Sequence, residues 1–95
     1  MNARLLTVNF HLSGCRSLKE KRHRLKRLQD RFGRATNVAV CESDYQDAHQ
    51  RAQWSFLATA ASGSVAEKAL AEILQNLELS VDAEVISAEQ ETLLP

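Results

Sequence analysis

Ninety-five residues with zero formal net charge suffice for one domain and one core, since domains cluster near ~100–150 residues and a chain this short buries only about two-thirds of its unfolded surface. No apolar run approaches the ~18 residues of a membrane span, and Cys15 and Cys41 form no C-x-x-C pair, so they read as free thiols. The even charge balance conceals an asymmetry: residues 16–34 hold nine of the twelve Lys and Arg against only Glu20 and Asp30, giving +7 there and −7 on the rest.

In chain order, MNARLLTVNFHL has no cationic region ahead of a long apolar stretch and no small-residue cleavage site, so no signal peptide is expected and the cytoplasm is the expected compartment. Residues 4–12 alternate, with Leu6, Val8, Phe10 and Leu12 on one side, which predicts a strand. Ser13 and Gly14 break it. Ser17 and Glu20 form an S-x-x-E capping box, which predicts a helix from Leu18 to Phe32, closed at Gly33 by a left-handed cap. Its core stripe is Leu18, Leu25, Leu28 and Phe32.

Residues 36–42 (TNVAVCE) read as a second strand, and 51–61 (RAQWSFLATAA) as a third with Ala52, Trp54, Phe56, Ala58 and Ala60 inward. Ser64 and Glu67 repeat the capping-box spacing ahead of a second helix, whose inner side carries Ala66, Ala69, Leu70, Ile73, Leu74 and Leu77. The last segment, VDAEVISAEQETLL, reads as a strand whose alternation slips between Val85 and Ile86, as at a β-bulge. No repeat, low-complexity run or linker divides the chain.

The order is β-α-β-β-α-β. This predicts an α+β, ferredoxin-like single domain over 1–95: a four-stranded antiparallel sheet with two helices on one face. The first strand ends where the first helix begins, and the second strand ends at that same edge. Residues 13–21 and 42–51 should therefore be neighbours.

Those two segments carry a resemblance. GCRSLKEKR at 14–22 and CESDYQDAHQRA at 41–52 resemble paired motifs of the bacterial YlxP-like family of unknown function. Gly14, Arg16, Ser17, Leu18, Lys19, Glu20, Lys21 and Arg22 fit the first motif; Glu42, Asp44, Gln46, Asp47, Gln50, Arg51 and Ala52 fit the second. Trp54 and Phe56 stand where the family pattern has aliphatics. The resemblance spans essentially the whole chain. It implies a ferredoxin-like fold and a link to ribosomes or RNA, and it supplies no established activity.

The basic helix is the main functional candidate. On a helical wheel Arg16, His23, Arg27, Arg31 and Arg34 project away from the core stripe, flanked by Lys19, Arg24 and Lys26. Arg16, Lys19, Lys21 and Arg22 crowd the helix start, where cations oppose the helix dipole by a few tenths of a kcal/mol each, so stability alone does not call for them. Two readings follow: a surface that binds RNA phosphates, or a solvated face on an otherwise acidic protein. Lys21 falls on the apolar stripe and must snorkel or meet an acid. Glu42, Asp44 and Asp47 lie on the adjoining loop, so a rim ion pair made by Lys21 or Arg22 is expected. The competing reading is a partner site built from Arg16, Lys19, Lys21, Asp44, Asp47, Gln50 and Arg51.

His11, His23 and His49 lack ligand spacing, so no metal or cofactor is expected. Cys15 precedes a helix beside Arg16, a setting that can lower a thiol pKa, but no histidine is placed as its base and no catalytic residue is assigned. The outward sheet positions Thr7, Asn9, His11, Gln53, Ser55, Leu57 and Thr59 offer no aromatic platform for bases, so any RNA contact should run through the helix. Leu5, Ala39, Cys41 and Leu57 on that open face would suit a homodimer. The sequence thus points to a non-catalytic accessory protein that binds RNA or a ribosomal surface through Arg16, Lys19, Lys21, Arg22, Arg24, Lys26, Arg27 and Arg31. The alternative is a protein-interaction or homodimerisation module without nucleic-acid binding.

Overall fold

The computed structural model describes all residues, 1–95. Its elements are β1 (Asn2–His11), α1 (Leu18–Phe32), β2 (Val38–Asp44), β3 (Arg51–Ala60), α2 (Gly63–Ser80) and β4 (Glu84–Leu94). The strands form one antiparallel sheet in the order β2-β3-β1-β4, the expected ferredoxin-like arrangement. Neither helix is long and apolar enough to cross a membrane.

The alternation in the central strands builds the core directly. Leu6, Val8 and Phe10 of β1 and Ala52, Phe56 and Ala58 of β3 are almost fully buried, and they meet Leu25, Leu28 and Phe32 of α1 and Ala66, Leu70, Ile73 and Leu77 of α2 in one cluster. Burying each large side chain contributes roughly 1.5–3 kcal/mol. Phe56 packs edge-on against Phe32 with centroids 5.9 Å apart, so the aromatic at position 56 is accommodated by a second aromatic from α1. Trp54 is buried beside it, and its indole N–H has no hydrogen-bond partner.

Helix α1 starts as its sequence requires. Ser17 is extended, its hydroxyl accepts from the Glu20 amide at 3.0 Å, and Glu20 Oε2 accepts from the Arg16 amide at 3.0 Å. Gly33 does close the helix, but in a right-handed conformation (φ −69°) rather than the expected left-handed one. Its need for glycine is steric: a Cβ there would stand 2.5 Å from the Gln29 carbonyl oxygen.

Three further expectations are corrected. The Ser64–Glu67 capping box does not form. Helix α2 begins at Gly63 with Ser62 as its N-cap, and no side chain caps it. With the start two residues earlier than expected, Ser64 already lies inside the first turn, where its hydroxyl faces Ser62 Oγ at 3.4 Å. Strand β2 runs two residues later than expected at both ends, because Thr36 and Asn37 complete the turn leaving α1 and a bulge at Ser43 carries the strand on to Asp44. Leu18 is only half-buried. The slip in β4 is a real bulge: Asn9 pairs with Ser87 and Phe10 with Val85, leaving Ile86 unpaired and 51% exposed.

Candidate functional site

The loop after β1 and the loop joining β2 to β3 meet at one end of the sheet. The Leu12 amide donates to the Gln50 carbonyl at 2.9 Å, and Gln50 Nε2 reaches the Cys15 carbonyl at 3.4 Å. Gly14, at φ +69°, turns the chain into α1.

Lys21 is the centre of this junction. It is 3% exposed, on the inner side of α1. Its ammonium donates to the Tyr45 carbonyl at 2.7 Å and the Ala48 carbonyl at 2.9 Å, and stands 3.0 Å from Glu42 Oε2. An ammonium has three N–H groups, and all three are matched. The expected rim ion pair therefore exists, with Glu42 as the acid, and Lys21 is a clasp rather than a free binding group.

The rest of the second motif shapes the clasped loop. Asp44 Oδ1 accepts from the Tyr45 amide at 2.7 Å, and the Ala48 amide donates to the Tyr45 carbonyl at 3.0 Å, closing a turn. Gln46 Nε2 reaches back to the Glu42 carbonyl at 3.4 Å. Tyr45 sits at φ +63°, the only non-glycine residue in the left-handed region, and the Arg51 guanidinium lies 4.7 Å from its ring centroid. Leu18, Lys21, Arg22, Leu25, Glu42, Gln46 and Asp47 line a cleft of about 300 Å³ between α1 and β2. Asp47 is exposed there without an ion-pair partner.

The cations of α1 divide into two groups. Arg24, expected on the binding face, is instead tied down. Its guanidinium donates to the Ser13 carbonyl at 2.9 Å and the Asp82 carbonyl at 2.9 Å, with Asp82 Oδ2 at 3.3 Å, and its side chain is 15% exposed. Arg31 donates to Asn76 Oδ1 of α2 at 3.2 Å and lies over the Phe32 ring. These two stitch α1 to α2 and to the loop before β4. A helical wheel gives their direction but not the neighbour their long side chains reach. Arg16, Lys19, Arg22, Lys26, Arg27 and Arg34 are exposed, and their side chains make no hydrogen bond or ion pair.

Cys15 does not take the lowered thiol pKa that its place before a helix can give. It is buried, and burial, reinforced by the Glu20 carboxylate, pushes its thiol pKa up rather than down. Glu20 is held below the ordinary carboxylate range by the neighbouring Cys15 thiol and then by the hydrogen bond from the Arg16 amide. No group of three His, Cys, Asp or Glu side chains is placed to hold a metal ion.

On the open sheet face, Leu5, Ala39, Cys41, Ser55 and Leu57 line a shallow depression of about 260 Å³. Beside it a polar row crosses all four strands: Ser55 to Ser43, Ser43 to Gln53, Gln53 to Asn9 and Asn9 to Ser87, each at 2.8–3.2 Å.

Residues 4–90 match the family model described as a protein of unknown function (DUF503). The chain belongs to this family. Both motif loops lie inside the matched range. A curated relative, the uncharacterized protein YlxP of Bacillus subtilis (strain 168), is 41% identical over 58 residues, a match spanning 61% of this chain and 63% of the relative. Among solved structures, a structural-genomics protein titled YJCS has a TM-score of 0.57 at 8% identity over 94% of this chain and 96% of its own, a likeness of fold alone. An amidase of the hydantoinase/carbamoylase family from Burkholderia phymatum has a TM-score of 0.48 at 13% identity, over 96% of this chain and 28% of its own.

The second motif is therefore mostly architecture: Glu42, Asp44, Gln46 and Gln50 hold the loop, while Asp44, Asp47 and Arg51 leave charge at the surface. The residue that sequence reasoning missed is Tyr45. Its signal was its position, as the single aromatic in the polar run SDYQDAHQ.

Proposed function

We propose that this protein is a non-catalytic accessory protein that binds RNA in the cytoplasm through phosphate contacts from α1. The observation that carries this reading is the set of six exposed cations on α1 and its flanks, Arg16, Lys19, Arg22, Lys26, Arg27 and Arg34, none with a side-chain partner. Glu20 and Asp30 are the two exposed acids among them, and Glu20 accepts from the Arg16 backbone amide. Lys21, Arg24 and Arg31 are engaged within the fold, which leaves these six available to a partner. Unpaired cations in a row attract a polyanion and release its counterions on binding. The open sheet face has no aromatic side chain on it, so base readout in the manner of an RNA-recognition motif is not part of the proposal.

The competing reading is a homodimer through the open face, favoured by the depression lined by Leu5, Ala39, Cys41 and Leu57. The polar row beside it limits its apolar extent. Affinity capture from bacterial lysate, with and without ribonuclease, separates the two. RNA binding predicts co-purifying RNA that nuclease removes; the dimer predicts a doubled mass in sedimentation and no retained RNA.

A further inference from the structure

Tyr45 is the exposed aromatic of the chain: Phe10, Phe32, Trp54 and Phe56 are buried, whereas Tyr45 is 37% exposed. A bulky residue in the left-handed region is an outlier that persists only when its surroundings over-determine it, and such residues cluster at functional sites. Here three fixed groups do so. Asp44 holds the Tyr45 amide, and Lys21 and the Ala48 amide hold its carbonyl. A glycine or asparagine at this position would meet the same backbone demand with less strain. The local structure therefore gives no reason for a tyrosine, and the ring calls for another one.

The ring is also prepared for contact. The Arg51 guanidinium 4.7 Å from its centroid makes a flat, cationic stack, and guanidinium planes and aromatic rings are the surfaces on which unpaired bases stack. This stack stands at the same end of the molecule as the start of α1. Lys21 bonds the Tyr45 carbonyl, and Arg22 shares the cleft with Gln46, the residue after Tyr45. Unpaired cations thus lie beside a fixed aromatic, the combination by which single-stranded nucleic acid is held without sequence reading.

We infer that Tyr45, stacked on Arg51, is a base-stacking platform for single-stranded RNA, with Arg22 and the neighbouring α1 cations taking the adjoining phosphates. The inference rests on the RNA reading above and narrows it from a polyanion in general to unpaired nucleotides. Lys21, Glu42 and Asp44 are then positioning residues that hold the platform.

The test is fluorescence anisotropy with a labelled oligoadenylate of about ten nucleotides, competed by unlabelled inorganic polyphosphate, which has charge but no bases. Three proteins are compared: wild type, Tyr45→Phe and Tyr45→Asn. Asparagine tolerates the left-handed backbone, and circular dichroism and the urea midpoint verify its fold. Tyr45→Phe should bind within about threefold of wild type, and Tyr45→Asn should bind oligoadenylate about 5- to 100-fold more weakly. The polyphosphate affinity and the salt slope should be equal in all three. Wild-type affinity in Tyr45→Asn, or an equal loss for polyphosphate, overturns the platform while leaving phosphate binding by α1 intact. Absence of oligoadenylate binding by the wild type overturns the platform and the RNA reading together.

Discussion

The Lys21 ammonium stands 3.0 Å from Glu42 Oε2, joining the start of α1 to the end of β2 across more than twenty residues of chain. Two carbonyls, those of Tyr45 and Ala48, complete its coordination. This one side chain links both sequence motifs, and several expectations depend on it.

Replacing Lys21 with Met leaves the Glu42 carboxylate and two carbonyl lone pairs without their donor. Removing one partner of a buried pair costs about 3–5 kcal/mol. Glu42 keeps 27% of its side chain exposed, so the expected loss is near the lower end, about 3 kcal/mol. Urea unfolding measures it. A loss below about 1 kcal/mol, the scale of a surface pair, would show that the clasp is not structural.

Arg24 and Arg27 lie three residues apart on α1, about one helical turn, yet differ in role, and their Gln variants should separate. Arg24→Gln gives up charged hydrogen bonds to Ser13 and Asp82 and should cost about 1–2 kcal/mol. Arg27→Gln has no partner to lose and should change stability by less than ~0.5 kcal/mol. For RNA affinity the order should reverse. Equal stability effects would remove the distinction between stitching and free cations.

The two thiols should differ in reactivity and in their effect on pH dependence. Cys41 is exposed and should alkylate in the native protein; buried Cys15 should react only on unfolding. Because the folded Cys15 pKa is raised, the native state keeps a proton that the unfolded chain releases near pH ~8.5. Its contribution to stability is complete below that pH and is lost as pH rises toward the folded value. Glu20 acts oppositely: with its folded pKa lowered, its contribution is present above about pH 4.3 and is lost as pH falls through the folded value. Urea midpoints across alkaline pH should fall less steeply in Cys15→Ala than in wild type, and identical slopes would contradict this assignment.

Much of this architecture is legible in the sequence because it depends on periodicity. The strand order, the span of α1, the bulge at Ile86 and the meeting of the two loops all follow from alternation, a capping box and strand direction. The anomaly of a lysine on an apolar stripe was equally legible, and Glu42 answers it. What escaped has a common cause. The reach of Arg24 to Asp82 and of Arg31 to Asn76 depends on how α1 lies against α2, which no local pattern encodes. The start of α2 at Gly63 escaped because no side chain caps it, so the S-x-x-E spacing at Ser64 marked the wrong residue. The left-handed Tyr45 is held by Asp44 and Ala48 close by and by Lys21 from a distant helix, so its conformation is in part a tertiary property.

The central claim is that the unpaired cations of α1 bind RNA phosphates, and salt dependence tests it most directly. Each phosphate contact contributes about −0.7 to −0.9 to the slope of log affinity against log salt concentration. Lys19, Lys26 and Arg27 are exposed and unpartnered, so their joint replacement by Gln should leave the fold intact. Anisotropy titrations with ribosomal RNA fragments at several salt concentrations, on wild type and on the triple variant, should give slopes differing by roughly two to three units. Equal slopes, or no wild-type binding at low salt, would contradict the account.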